Sequence, residues 1–476
     1  MRAISCALGA LYFAIGFSTA HGADQVSELS KEPMIGILVG EGRGGFGDVA
    51  SGLLMAQNIN RLDPRVQIVI TCIPNSSCEP FYNMLAAKSS QVLQIASPSS
   101  RAGQPHIMLG FSAKTVPSAI ESPWAFIFGE YDWHQPNHTT GEIKAHHYSI
   151  PTGFETDTFY FTEETPAIPE REKTLEAVKN NLGLSNDIPK SALIGFSYQS
   201  QENANTRYIL DIQRVIDADP TWNEGKRVVV FTNKLSNGND FESLVGESNQ
   251  NSKRKLALLE KSSRYTRFQY GDVDVITYKS LPLRYSEELI ALSNIPINVT
   301  GDVSLTLALQ YGKPFGYETH PLIPWKQTLF QNLMHAFPEM LTISKFDRLK
   351  SKDLWPKFSQ QINQFRKGRS LPQYILEVVH FLHRYDAPHG GHLDSEQSRI
   401  QQHRERLASI LDSAPHNKSP EDFLLERLRE NDSVAQAIIE DHNRWRDQVK
   451  PPFSSFRPCL MKTLGPKRVQ AASQTK

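Results

Sequence analysis

The residues best placed by type and spacing to do chemistry lie in two glycine-containing loops. The first, Gly40-Glu41-Gly42-Arg43-Gly44-Gly45-Phe46-Gly47-Asp48, ends in a carboxylate at a helix start. Gly40, Gly42 and Gly45 spell GxGxxG. A dinucleotide site built on that spelling needs an acidic residue near the end of the second strand, to hold a ribose. Cys72-Ile73-Pro74 stands there instead, and no Gly-Lys-Ser or Gly-Lys-Thr follows the glycines. Neither a dinucleotide fold nor an ATP-type phosphate loop is therefore expected. What remains is a flexible loop that lets a helix end approach a ligand or a neighbouring domain. Asp48 fits helix capping as well as it fits chemistry, because Asp is a preferred N-cap.

The second loop, Thr300-Gly301-Asp302-Val303-Ser304, sits between an apolar strand pattern and a helical one. The amino end of a helix carries unpaired N–H groups and partial positive charge, which suit phosphate. Gly301 would let a diphosphate reach the backbone, and Thr300 and Ser304 offer hydroxyls; Asp302 or Ser304 could equally be caps. Phe196 and Tyr198 end a strand-like run and share a face by alternation. They suit either stacking on a nucleobase or packing in a core.

These loops need elements to hold them. Met34–Val39, a glycine loop, a helix over Asp48–Asn60 and a strand over Val66–Thr71 read as the opening of a parallel α/β domain, with further strands at Ile107–Phe111 and Ala125–Phe128. The Pro-rich, charged stretch 163–190 reads as a linker. A second α/β series follows: strand from Ala192, helix Tyr208–Ala218, strands Arg227–Thr232 and Val273–Tyr278, helix Ser286–Ser293, strand Ile297–Thr300, helix Leu305–Tyr311, closed by Gly312-Lys313-Pro314-Phe315. The expected organisation is a first Rossmann-like domain over 34–165, a second over 190–335, a helical extension over 336–450 and a disordered tail over 451–476. Two such domains serve transferases, binding proteins and oxidoreductases alike.

Composition narrows the classes. The 476 residues suggest two or three domains, and 39% apolar content supports real cores. Lys+Arg and Asp+Glu are both 51, so bulk electrostatics give no reason to expect a nucleic-acid partner. Residues 1–22 read as an export signal: Arg2, an apolar run from Ile4 to Phe17, and the small-x-small site Ala20-His21-Gly22. The competing readings are an uncleaved anchor and a start at Met34, which would leave the protein cytoplasmic. No later apolar run is long enough to span a membrane.

Other chemistry-bearing residues leave alternatives open. Cys72 and Cys78 could close a small disulfide loop or stay as thiols, and no cysteine spacing suggests zinc. Asp272-Val273-Asp274 spells a metal-type DxD inside a strand pattern; His380, His383, His389 and His392 are a metal patch or ordinary surface histidines. Tyr131, Trp133, His134, His138, His146 and His147 suit an acceptor surface or packed core.

Taken in order, Gly45-Phe46-Gly47-Asp48-Val49, Phe196-Ser197-Tyr198, Leu281-Pro282, Gly301 to Ser304 and Gly312-Lys313-Pro314-Phe315 resemble the GT-B glycosyltransferases. Among these they are most similar to the elongation factor P arginine rhamnosyltransferases, over roughly residues 34–335. The resemblance implies a GT-B-like pair of Rossmann-type domains with a nucleotide diphosphate-sugar between them. It implies inverting transfer without a metal or other cofactor. Asp48 would be the catalytic carboxylate, with Glu41 in reserve. Phe196 and Tyr198 would sandwich the base, and Thr300, Gly301, Asp302, Val303 and Ser304 would hold the diphosphate. The chain departs from the pattern where Thr300 replaces an arginine and Val303 replaces an acid, and where residues 336–476 extend it. The acceptor is left open, protein arginine among the candidates. The rival functions are an exported, non-catalytic ligand-binding protein and a nucleotide-sugar hydrolase. In this architecture a terminal helix often crosses back to the first domain, and the Arg/Glu-rich stretch 399–445 is the expected source.

Overall fold

The computed structural model describes residues 33–39, 47–72, 93–96, 107–111, 122–128, 146–150, 152–154, 158–160, 167–236, 238–247, 254–319, 324–386 and 394–448. The expected export signal, Glu41, Cys78, His389, His392 and the expected C-terminal tail lie outside these residues.

Short continuous apolar runs become strands buried on both faces, as parallel sheets require. The first sheet takes β1 (Met34–Val39), β2 (Gln67–Cys72), β3 (Leu93–Ala96), β4 (Ile107–Phe111), β5 (Trp124–Phe128) and β6 (His146–Ile150). Its order is β3-β2-β1-β4-β5-β6, and every neighbouring pair is parallel. The helix α1 (Gly47–Leu62) links β1 to β2.

The second sheet takes β7 (Leu193–Tyr198), β8 (Val228–Thr232), β9 (Ala257–Lys261), β10 (Tyr265–Tyr270), β11 (Val273–Tyr278), β12 (Ile297–Val299) and β13 (Phe315–Tyr317). Its order is β13-β12-β7-β8-β11-β10-β9, parallel from β13 to β11, with β10 and β9 added antiparallel. Around it lie α2 (Arg171–Leu182), α3 (Glu202–Ala218), α4 (Gly238–Glu247), α5 (Leu283–Leu292) and α6 (Asp302–Gln310). Both sheets are Rossmann-type, so the paired α/β architecture expected from the sequence is present. In the second sheet the strand order reverses at β7, which has β12 on one side and β8 on the other. Open α/β sheets bind ligands outside the carboxyl ends of the strands at such a switch point.

A helical region follows: α7 (Pro324–Ala336), α8 (Pro338–Thr342), α9 (Lys345–Lys350), α10 (Trp355–Arg366), α11 (Leu371–Tyr385), α12 (Asp394–Ser413), α13 (Pro420–Arg429) and α14 (Ser433–Gln448). α11 packs on α1 of the first domain, and the stretch 399–445 also reaches that domain, with the His416 ring 5.8 Å from the Phe159 ring. The chain is stitched there by Tyr160 N–H to Arg369 O at 2.6 Å and Leu371 N–H to Tyr160 O at 2.7 Å. Phe159 stacks on Tyr374 at 4.3 Å, and Trp124 Nε1 donates to Asp386 Oδ2 at 3.0 Å. The reason is composition: Leu371, Ile375, Leu376, Val378, Val379, Phe381, Leu382 and Tyr385 are all buried. So wide an apolar surface can face α1 and also the α13 and α14 layer behind it.

Candidate functional site

At the switch point, β7 and β12 run in register, with Asn298 beside Ser197 and Val299 beside Tyr198. On the other side Val299 pairs with Tyr317. The chain therefore leaves three adjacent strands at one place, through Gln199-Ser200, Thr300-Gly301 and Glu318.

Gly301 is the residue before α6, with φ 73° and ψ 171°, and as a glycine it has no side chain with which to cap the helix. A positive φ of this size favours glycine. A Cβ built on Gly301 would meet nothing within 4 Å, so the space beside the backbone here is open. The helix starts at Asp302, three residues before the sequence pattern suggested, which places the amides of residues 302–304 in its first turn. These amides have no partner within the helix. Ser304 differs from expectation. Its hydroxyl donates to the Thr300 carbonyl at 2.5 Å and is buried, so its proton serves the helix start and does not face a ligand. Val303 is partly buried against the core. Of Asp302 only the backbone is described.

Tyr198 and Phe196 separate in the same way. Tyr198 is 42% exposed at the strand end, whereas Phe196 is 1% exposed. Phe196 belongs to the core with Ile194, Phe231 and Ile276. The expected aromatic sandwich is corrected to one available ring, because only the last residue of β7 emerges from between the helices.

The neighbouring helix start is already occupied by a carboxylate. Glu318 accepts from Ser200 N–H and Ser200 Oγ, both at 2.6 Å, and from Gln201 N–H at 3.0 Å. Burial alone would raise this carboxyl, but the hydrogen bonds from Ser200 and Gln201 outweigh it and hold Glu318 below its ordinary value. Its charge complements the positive end of α3 and disfavours a second anion there. Lys326, on the first turn of α7 and 5% exposed, donates to Thr300 Oγ1 at 2.6 Å and reaches Ser200 Oγ at 3.3 Å. Asn233 pins the backbone of Gln199, accepting from its N–H at 3.4 Å and donating to its carbonyl at 3.1 Å. Sequence spacing gave no sign of Glu318, Lys326 or Asn233, since each reaches the loops from a distant segment.

In the first domain, Asp48 is the second residue of α1, and its side chain is not described. α1 packs on α6. Near their carboxyl ends the two helices meet at buried Glu287, which Arg61 in the last turn of α1 approaches at 3.4 Å and Tyr311 Oη, following α6, at 2.8 Å. Of the other candidates, Tyr131, Trp133, His134 and His138 lie outside the described residues, while Asp274, His380 and His146 are engaged within the fold. Asp274 is 1% exposed and bonded to Arg227 at 2.8 Å and Arg267 at 2.9 Å, near the amino end of β11. His380 Nε2 lies 3.1 Å from Asp63 Oδ2, and His146 packs 5.1 Å from the Trp124 ring. Among the described residues no cluster of three or more His, Cys, Asp or Glu is placed to hold a metal, and no helix is long and apolar enough to cross a membrane.

No family model matches the chain, and no curated protein sequence matches it. Solved structures are similar to it at low identity. The glycosyltransferase SnogD from Streptomyces nogalater has a TM-score of 0.41 at 11% identity, over 74% of this chain and 99% of its own. The ADP-heptose LPS heptosyltransferase II of E. coli has a TM-score of 0.33 at 14% identity, over 61% and 86%. A putative UDP-N-acetylglucosamine 2-epimerase from Listeria monocytogenes has 0.35 at 13%, over 74% and 96%. Overlays this loose carry no argument about chemistry, and the architecture rests on the strand orders given above.

Proposed function

We propose that this chain is a glycosyltransferase whose donor, a nucleoside diphosphate-sugar, binds at the carboxyl edge of the second sheet. The observation that carries the reading is the uncapped start of α6. It opens at Gly301, where no described atom would meet a Cβ within 4 Å, next to the strand end that carries the exposed Tyr198. The open amides suit the diphosphate, and Tyr198 suits one face of the base.

The acceptor side belongs to the first domain. The packing of α1 on α6 supports a reading in which Asp48, in the first turn of α1, serves the acceptor side. In an inverting transfer the acceptor attacks the anomeric carbon opposite the departing diphosphate. Asp48 takes the proton of a hydroxyl acceptor, an effect of about 10²–10⁴-fold. With a guanidinium acceptor it aligns the nitrogen and stabilises developing charge. The reaction needs no metal in this scheme. The finer likeness to elongation factor P arginine rhamnosyltransferases makes protein arginine one acceptor to try. Export by residues 1–22 belongs to the same proposal and would separate the protein from a cytoplasmic translation factor.

The test is a panel of nucleoside diphosphate-sugars, read by released nucleoside diphosphate and by mass gain on acceptors. Asp48→Asn keeps a side chain of the same size and shape in the first turn of α1. It should therefore fold and bind donor like the parent while losing about 10²-fold or more of transfer. Full transfer by that variant would leave Asp48 with no part in the chemistry. Affinity for a free sugar with none for any nucleotide would sink the transferase reading, and donor cleavage to water alone would make the protein a hydrolase.

A further inference from the structure

We infer that the Tyr278 hydroxyl binds the edge of the donor's nucleobase, while Tyr198 takes its face. The assignment rests on the nucleotide-sugar reading above and extends it to a residue that no motif marks.

Tyr278 is the last residue of β11, two strands from β7 across β8. Phe196, Phe231 and Ile276 stand in register across β7, β8 and β11 and share one core cluster. Strand alternation therefore sends Tyr198 and Tyr278, each two residues further on, to that same face. It is also the face of α6, whose Leu305 and Ala308 belong to the cluster. On the other face Val230 and Val275 pack with Ile209 and Ile212 of α3. The start of α6, Tyr198 and Tyr278 thus follow one another along a single side of the carboxyl edge. From β12 to β11 is three strand spacings, about 14 Å. An extended nucleotide can lie along that line, with its diphosphate at α6 and its base beyond Tyr198.

The condition of the two phenols supports this pose. Tyr278 is 4% exposed, and its hydroxyl is shut off from solvent with no hydrogen-bond partner. A buried hydroxyl in that condition costs stability, and phenylalanine would fill the same space without the cost. Burial pushes both phenols up, and Tyr198 adds to the shift of Tyr278, so the two side chains lie close enough to interact. Tyr198 thus keeps its hydroxyl end buried while its ring stays partly exposed. Gln199, the next residue, also buries its amide with no partner for either atom, so unpaired polar groups gather at this edge. In the complex, Tyr198 turns its ring onto the base and uncovers the Tyr278 hydroxyl, a neutral donor for an oxygen or nitrogen of the base edge.

The experiment compares the parent with Tyr278→Phe by calorimetry on the whole chain, using UDP, dTDP, ADP and GDP and the corresponding nucleosides. The parent should bind one of the diphosphates. Tyr278→Phe should lower that affinity about 3- to 10-fold, with a similar factor lost from the nucleoside, because the base is common to both. Its urea midpoint should equal or exceed that of the parent, since the hydroxyl removed has no partner within the fold. A merely structural tyrosine would not combine weaker binding with undiminished stability. A less stable variant, or a folded one that keeps the parent affinity, overturns the assignment of Tyr278 and leaves the donor site standing. A loss confined to the diphosphate, with the nucleoside unaffected, overturns it too, because the contact would then be to phosphate. A parent chain that binds none of the four diphosphates overturns the assignment and the nucleotide-sugar reading together.

Discussion

The first helices of the two sheets, α1 and α3, occupy equivalent places in twin βαβ units and are secured in opposite ways. α1 is buried almost all round, from Val49 to Ile59, because it lies between its own sheet, α11 and α6. α3 is amphipathic, with Tyr208, Ile209, Ile212, Val215 and Ile216 inward and a polar first turn. A carboxylate attends each, at opposite ends. Glu318 sits at the amino end of α3, where backbone amides and the dipole favour it. Asp63 follows the carboxyl end of α1, where the dipole opposes it, and is held by Arg65 Nε at 2.9 Å, Arg65 Nη2 at 2.8 Å and His380 at 3.1 Å. One helix is thus fixed mainly by packing and the other by a polar ring at the candidate site. The difference teaches that a shared fold leaves each sheet free to spend its carboxyl edge differently.

The strongest break of this comparison is Glu318→Ala. It strips acceptors from two amides and a hydroxyl and removes the negative charge near Lys326, so a loss of about 2–4 kcal/mol is expected in urea titration. Because the carboxyl is held below its ordinary value, that contribution is full above the ordinary carboxylate range and fades as acid protonates it. A loss under about 0.5 kcal/mol would mean that packing secures α3 as it does α1.

Asp63→Asn should have a smaller effect. Hydrogen bonds from the Arg65 side chain hold Asp63 at about 2, below its ordinary 3.8. The stabilisation is present above 3.8 and is lost as pH falls through about 2. Arg65 is 70% exposed, so solvent screening reduces the contribution to about 1 kcal/mol at pH 7. Parent and variant should converge in stability toward pH 2, and a gap that persists there would mean the carboxylate charge is not what matters.

Much of the fold could be read from the chain because parallel strands are short apolar runs. β1 and β11 fall where the sequence places them, and Met34-Ile35-Gly36-Ile37-Leu38-Val39 has hardly another buried use. The start of α3 could not be read. Residues 202–207 are polar apart from Ala204, and the group that makes a helix start stable there, Glu318, follows a strand more than a hundred residues later. The same limit applied at the site. Gly301 was visible as a glycine at a strand–helix junction, while Lys326 stood in an unremarkable helical stretch until β12, β13 and α7 met. Phe196 and Tyr198 shared a face as alternation required, but alternation gives direction without depth, and only Tyr198 lies beyond the covering helices.

The central claim is that the start of α6 receives the diphosphate, and amide hydrogen exchange with and without a bound nucleoside diphosphate tests it directly. The amides of Asp302, Val303 and Ser304, which have no partner within the helix, should exchange more slowly by about tenfold or more when the nucleotide is present. Binding that leaves those three amides unchanged, with protection confined to the first sheet, would contradict the account.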